Sequence, residues 1–196
     1  RWGEVLARLR QMESSWTPPD RFHYTIAIDA CAKAAGWQAA IAVAAAMRAR
    51  GTAHDAASAC ACIDALGRGR SWARALAFLK EVHAERLSPN IAVCTATIAA
   101  CEKASAWQGA LHLLGNISAT RFRPDALCIS AAIAACEKGR RASDAIALLA
   151  SARAASVDLG VVGFSSVLSA CEKGQLWQRA LALLSGAGRD RVAPSV

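Results

Sequence analysis

Small, apolar and polar positions follow a helical beat along this chain, and the whole pattern returns every 35 residues. In the first half of each unit the eighth residue is Ile28, Ile63, Ile98, Ile133 or Leu168, and the tenth is always alanine: Ala30, Ala65, Ala100, Ala135 and Ala170. The eleventh is Cys31, Leu66, Cys101, Cys136 or Cys171. Residues so spaced fall on one face of a first helix. A short break follows, containing Gly36, Arg70-Ser71, Ser105 or Gly174. A second apolar run then opens at Trp2, Trp37, Trp72, Trp107, Ala142 and Trp177. Its twentieth-position residue is again always alanine (Ala40, Ala75, Ala110, Ala145, Ala180), followed by Ile41, Leu76, Leu111, Ile146 and Leu181. Three residues further on stand Ala44, Leu79, Leu114, Leu149 and Leu184. This i, i+1, i+4 stripe predicts a second helix, and the unvarying small residue on each helix predicts a close crossing.

Counted with the cysteine as eleventh, the repeats are 21–55, 56–90, 91–125, 126–160 and 161–195, and residues 1–20 are the second half of a preceding repeat. No insertion or deletion breaks the register. The units close on Pro19-Asp20, His54-Asp55, Pro89-Asn90, Pro124-Asp125, Leu159-Gly160 and Pro194-Ser195. Proline ends one helix, and the polar residue after it is placed to cap the next. Self-similarity at such a period means stacked units that bury their apolar faces against neighbours. The expected fold is therefore all-α, an α-solenoid (right-handed superhelix) of antiparallel helix-turn-helix repeats forming one repeat domain. The fourth repeat departs most, with Ala142 in place of tryptophan and Asp158-Leu159-Gly160 in place of the proline ending. A looser junction with the fifth repeat is expected there.

Composition narrows the reading. The chain of 196 residues is 55% hydrophobic, rich in Ala and Leu and poor in Pro, which favours helix throughout. Its mean hydropathy of +0.25 is high, yet the longer uncharged stretches, such as 104–120, are interrupted by Ser, Gln, Gly, His and Asn. No membrane span is expected. Eight cysteines would suggest disulfides in a small secreted chain, but no secretory signal is present and most of the cysteines lie inside the helical pattern. They read as reduced, buried, small hydrophobes. Arg1 falls in mid-repeat without a transit segment, so a piece of a longer protein is expected. The net charge of +8 favours a polyanionic partner, though it serves solubility equally well.

Two helical repeats have periods near this one. The tetratricopeptide pattern wants Trp, Leu-Gly and Tyr in its first helix, whereas the tryptophan here opens the second. The 35-residue period, Tyr24-Thr25 at the head of the first helix, Ala-Cys-x-Lys near its end, Ala-Leu in the second helix and the closing Pro-Asp together resemble the pentatricopeptide repeat family over essentially the whole chain. The resemblance implies binding of single-stranded RNA, one base per repeat, along the face lined by first helices. It also implies that fifth and last residues read a base edge together: Thr25 with Asp55, Cys60 with Asn90, Thr95 with Asp125, Ser130 with Gly160, and Ser165 with Ser195. Phe22, Ala57, Ala92, Leu127 and Val162, second in each repeat, would pack on the base face. A hydroxyl can donate to a purine nitrogen and a carboxylate can accept from guanine. The Thr–Asp pairs thus suit guanine, and Cys60 specifies little.

The thirteenth residue is a cation in every repeat: Lys33, Arg68, Lys103, Lys138 and Lys173. It either answers the dipole of the first helix or contacts phosphate. Five such contacts would give a salt slope of about −3.5 for a single strand. The tryptophans read as packing between repeats rather than as stacking platforms. The cysteines stand a repeat apart, and Cys60 and Cys62 point to different sides of one helix, so metal binding is not expected. His83-Ala84-Glu85 matches the His/Glu element of zinc deaminases without a Cys-x-x-Cys partner and reads as chance. The expectation is a non-enzymatic protein without cofactor or metal. Its partners would be RNA and, beyond it, other RNA-processing proteins, in a mitochondrion or plastid by family analogy. The alternatives are a tetratricopeptide-like scaffold that binds a peptide or helix, or an array decayed into spacers.

Overall fold

The structure is a computed structural model that describes residues 2–14, 18–34, 36–84, 90–119 and 123–187. The described residues form eleven helices and no strand: α1 (Trp2–Ser14), α2 (Arg21–Lys33), α3 (Trp37–Ala49), α4 (Ala56–Arg68), α5 (Trp72–Ala84), α6 (Ile91–Lys103), α7 (Trp107–Ala119), α8 (Ala126–Lys138), α9 (Ala142–Ala154), α10 (Gly160–Lys173) and α11 (Trp177–Ala187). Every first helix ends on its thirteenth residue. Every second helix opens on the tryptophan or on Ala142. The 35-residue register is thus a register of helix ends as well as of side chains.

Two compact units divide the chain, residues 1–100 and 101–196. In the first, α2 packs on α1, α3 and α4, and α4 packs on α3 and α5. In the second, α8 packs on α7, α9 and α10, and α10 packs on α9 and α11. The first helices α2, α4, α8 and α10 therefore each lie between their own second helix, the preceding second helix and a neighbouring first helix. The apolar stripe supplies the core, since Ile28, Ile63, Ile98 and Ile133 are wholly buried. The cysteines at the eleventh position are equally buried, as small apolar groups. Burial pushes the thiols of Cys101 and Cys136 up to about 11 and that of Cys62 up to about 12, so all three stay neutral.

The helix ends show how the chain turns. In all five repeats the amide of the sixteenth residue donates to the carbonyl of the eleventh: Gly36 to Cys31, Ser71 to Leu66, Ala106 to Cys101, Arg141 to Cys136 and Leu176 to Cys171, at 2.8–3.0 Å. This is the closing bond of a Schellman turn, which needs a left-handed residue just before the donor. Arg70, Ser105, Arg140 and Gln175 take that conformation at φ 52–59°, although none is glycine. At the other end, Asp20, Asp55 and Asp125 cap α2, α4 and α8 by accepting from the third amide of each helix.

Tryptophan joins one repeat to the next. A side chain at Gly69 would stand 2.3 Å from the Trp37 indole, and one at Gly139 would stand 2.4 Å from that of Trp107. The glycines therefore admit the indoles, whose other contacts include Arg74 over Trp37 at 4.8 Å and Arg141 over Trp107 at 4.4 Å. Ala142 meets Gly174 in the same way one repeat later. The junction of the fourth and fifth repeats holds a crevice of about 460 Å³ beside Leu159 and Phe164. The preceding junction, with its ordinary Pro124, holds one of about 610 Å³.

Candidate nucleic-acid interface

The second residue of each repeat, in the first turn of its first helix, faces solvent whatever its size. Phe22, Leu127 and Val162 are 69%, 72% and 73% exposed, and Ala57 and Ala92 are exposed as well. A large apolar side chain is thus left exposed at one register position in three repeats. One helical turn on, Thr25, Cys60, Thr95 and Ser130 are half-buried and Ser165 is exposed. The second and fifth residues are three apart, so they share a helix face.

The hydroxyls at the fifth position are engaged locally. Thr25 donates to the Arg21 carbonyl and Thr95 to the Ile91 carbonyl, both at 2.9 Å, and Ser165 donates to the Val162 carbonyl at 2.9 Å. Donation to a base requires each hydroxyl hydrogen to swing away from its helix carbonyl. Cys60 keeps a neutral thiol. Burial, then the charge of Asp55 and the neighbouring Cys94, pushes it up.

The last residue of a repeat has a double position. Asp55 accepts from the Ser58 amide at 2.8 Å and Asp125 from the Cys128 amide at 2.8 Å, each through Oδ1. Asn90 accepts from the Ala92 amide at 2.9 Å. Partial burial pushes the Asp55 carboxyl up, but the hydrogen bonds of Ser58 and the charge of Arg21 outweigh it and hold Asp55 below its ordinary range. Asp55 therefore lies within electrostatic reach of Arg21, whose carbonyl holds the Thr25 hydroxyl, and of Cys60 on the next first helix. The predicted partners stand on successive first helices, Thr25 within α2 and Asp55 at the cap of α4. Gly160 begins α10 with φ 60° and its amide bonded to Asp158, so that repeat offers no side chain at this place. Ser195 lies outside the described residues, as does Glu85 of the His83-Ala84-Glu85 element.

The cations at the thirteenth position all stand in the last turn of a first helix and are all exposed. Side-chain partners, beyond the helix dipole, hold Lys33, Arg68, Lys138 and Lys173. Lys33 pairs with Asp29 at 2.7 Å and Arg68 with Asp64 at 2.8 Å, each one turn back on its own helix. Lys138 reaches Glu102 at 2.7 Å and Lys173 reaches Glu137 at 2.7 Å, each on the preceding first helix. Ser169 adds a hydrogen bond to Glu137 at 2.8 Å. Burial pushes Glu137 up, yet the bonds from Lys173 and Ser169 outweigh it and lower its carboxyl. The sequence reading missed these pairs, although their signal is visible: acid at the ninth position in the first two repeats and Glu-Lys at the twelfth and thirteenth in the last three. Among the described residues no three His, Cys, Asp or Glu side chains converge as a metal site, and no helix is long and apolar enough to cross a membrane.

Comparison with known proteins bears on this arrangement. The fold is similar to that of the pentatricopeptide repeat protein PPR10 in complex with an 18-nt psaJ RNA element, at TM-score 0.78 and 21% identity over 94% of this chain. It is also similar to PPR10 from maize, at TM-score 0.61 and 16% identity over 100% of this chain. At these identities the likeness establishes the fold. The chain spans 27% and 33% of the length of those two structures. No curated protein matches the sequence. A profile described as pentatricopeptide repeat-containing protein matches residues 3–117, more than half of the sequence, and the chain belongs to the pentatricopeptide repeat family.

Proposed function

We propose that this chain is a sequence-selective binder of single-stranded RNA, taking one base per repeat, and that it serves organellar RNA processing, stability or translation as a scaffold rather than as an enzyme. The observation that carries the proposal is the exposed second position: apolar groups left largely open to solvent stand on the same helix face as the polar fifth residues. A PPR10 structure of the same fold is a complex with RNA. Thr25 with Asp55 and Thr95 with Asp125 would read guanine, Asn90 beside Cys60 adenine or cytosine, and Ser130 and Ser165 purines. The 5′ to 3′ order is then G, A or C, G, purine, purine. Stacking on Phe22 is worth about 1–3 kcal/mol, which Ala57 and Ala92 cannot supply. Five repeats alone bind modestly.

Binding of GAGAA and GCGAA against a U-only control at constant salt tests the reading. Thr25→Asn should move the first base from guanine towards uracil, and equal weak binding of all three RNAs defeats the code. Retained helicity without RNA binding favours a protein-binding scaffold instead. The same titration addresses the cations. Phosphates must compete with Asp29, Asp64, Glu102 and Glu137 for four of them, so the salt slope should be shallower than the −3.5 or so of five unpaired contacts.

A further inference from the structure

The turn of the fourth repeat lies at the far end of α8 from the second and fifth positions, and it reads Arg140-Arg141-Ala142-Ser143. The chain's one pair of adjacent arginines thus stands three and two residues before a serine. Guanidinium groups so placed suit the carboxylate-lined substrate groove of an arginine-directed serine kinase, which can grip them bidentately. Among the serines and threonines, Ser71 and Ser156 also have arginine three residues before them. Ser71 is half-buried and donates to the Gly69 carbonyl at 3.3 Å, and Arg68 before it is held by Asp64. Ser156 has a single arginine before it. Ser143 has both arginines and an exposed side chain.

A kinase takes its substrate extended, so the turn and the start of α9 must open locally. Three features ease that opening. Helix α9 begins without a capping side chain. Arg140 is left-handed at φ 55° without being glycine, so the closed turn is strained. In the first and third repeats opening would withdraw Trp37 or Trp107 from beneath Gly69 or Gly139, whereas beneath Gly174 only the Ala142 methyl leaves. The Arg141–Asp144 pair at 2.7 Å opposes opening only weakly, as a pair near the surface. The one repeat that lacks the tryptophan is therefore the one whose turn carries the arginine pair.

We propose that Ser143 is a phosphorylation site for an arginine-directed serine kinase. The Ser143 Oγ attacks the γ-phosphorus of ATP, the bond from that phosphorus to the β–γ bridging oxygen breaks, ADP leaves, and the hydroxyl proton passes to the catalytic aspartate of the kinase. When the turn closes again, the phosphate stands at a cleft of about 270 Å³ lined by Arg140, Arg141, Ser143 and Gly174. The two guanidinium groups there are donors for its oxygens. Arg141 exchanges Asp144 for phosphate, and a basic turn becomes acidic. The proposal is independent of RNA binding.

The test incubates the full chain with ATP and the catalytic subunit of cyclic-AMP-dependent protein kinase and locates phosphate by peptide mass spectrometry. One phosphate is expected, on Ser143, and none on Ser143→Ala. Arg140→Lys keeps the charge but loses the fork, and should slow labelling by about tenfold or more. Ala142→Trp, with helicity retained, restores the indole found in other repeats. It should slow labelling of the folded chain by about tenfold relative to a peptide of residues 138–147 carrying the same substitution, because the turn then opens less often. A folded chain that stays unlabelled overturns the proposal, whether or not the peptide is labelled, and so does phosphate carried chiefly by Ser71 or Ser156. An Arg140→Lys rate equal to that of the parent removes the arginine fork from recognition and overturns it equally. An unchanged Ala142→Trp rate, relative to its peptide, does the same for the opening of the turn.

Discussion

The two units hold the same row of cations by different means. In the first, Lys33 and Arg68 turn back to Asp29 and Asp64 on their own helices. In the second, Lys138 and Lys173 reach the previous first helix. The difference lies in where the acid stands. An acid at the ninth position is one turn below the cation on the same face. A glutamate at the twelfth position lies on the side that meets the following repeat, and the first two repeats have Ala32 and Gly67 there. One arrangement supports each helix separately, whereas the other makes helices depend on each other.

That comparison can be strained first where the units agree. Gly69→Ala and Gly139→Ala both drive a methyl into an indole, and overpacking of this kind costs about 1–3 kcal/mol. Urea unfolding should show similar losses in the two units. Unequal losses would mean that the tryptophan contact is not equivalent in them.

The ion pairs should separate the units. Glu137→Gln removes a carboxylate shared by Lys173 and Ser169, and a loss of up to about 1 kcal/mol is expected after allowance for solvent exposure. Asp64→Asn removes a within-helix pair worth about 0.2–0.5 kcal/mol. The pH dependence has a definite sign. The Glu137 carboxyl is lowered from its ordinary 4.5, so its contribution is complete above that value and is lost as pH falls through the lower folded value. Wild type and Glu137→Gln should therefore converge in stability on acidification below 4.5. A constant difference down to the acid transition would assign the effect to packing.

The smallest effect should again be common to both units. Arg70→Gly and Arg140→Gly relieve a left-handed residue at φ 52° and 55°, and a gain of about 0.5 kcal/mol is expected from each once the entropy of glycine is subtracted. Thermal melts of the two variants should rise together. A fall at Arg140 alone would show that its side chain makes a stabilising contact.

Much of this molecule was legible in its sequence because one pattern is written five times. Helix ends, the buried isoleucines and the caps at Asp20, Asp55 and Asp125 followed from the register. The left-handed turns did not, because Arg70, Ser105, Arg140 and Gln175 carry no conformational signature, and only the carbonyl-to-amide bond across the turn reveals them. The cations and the acids one turn before Lys33 and Arg68 were visible, but which carboxylate Lys138 and Lys173 take was not, since a pairing between residues 36 apart depends on how neighbouring helices are set. At the reading positions the sequence supplied residue types. It could not show that the Thr25 and Thr95 hydroxyls already donate to their own helices.

The pairing of a glutamate with the lysine of the following repeat also bears on how such a chain can lengthen or shorten. Each rung is assembled from halves contributed by two adjacent units, and each of the last three units brings the same halves in the same order. Excising residues 126–160 would set Glu102 opposite Lys173, with Ser169 beside them, and the rung would re-form from new partners. A cut that is not a whole number of repeats would leave both halves stranded. Whole repeats are the natural quantum of change for this protein, and the charge pattern of the last three repeats keeps the same quantum as the hydrophobic one.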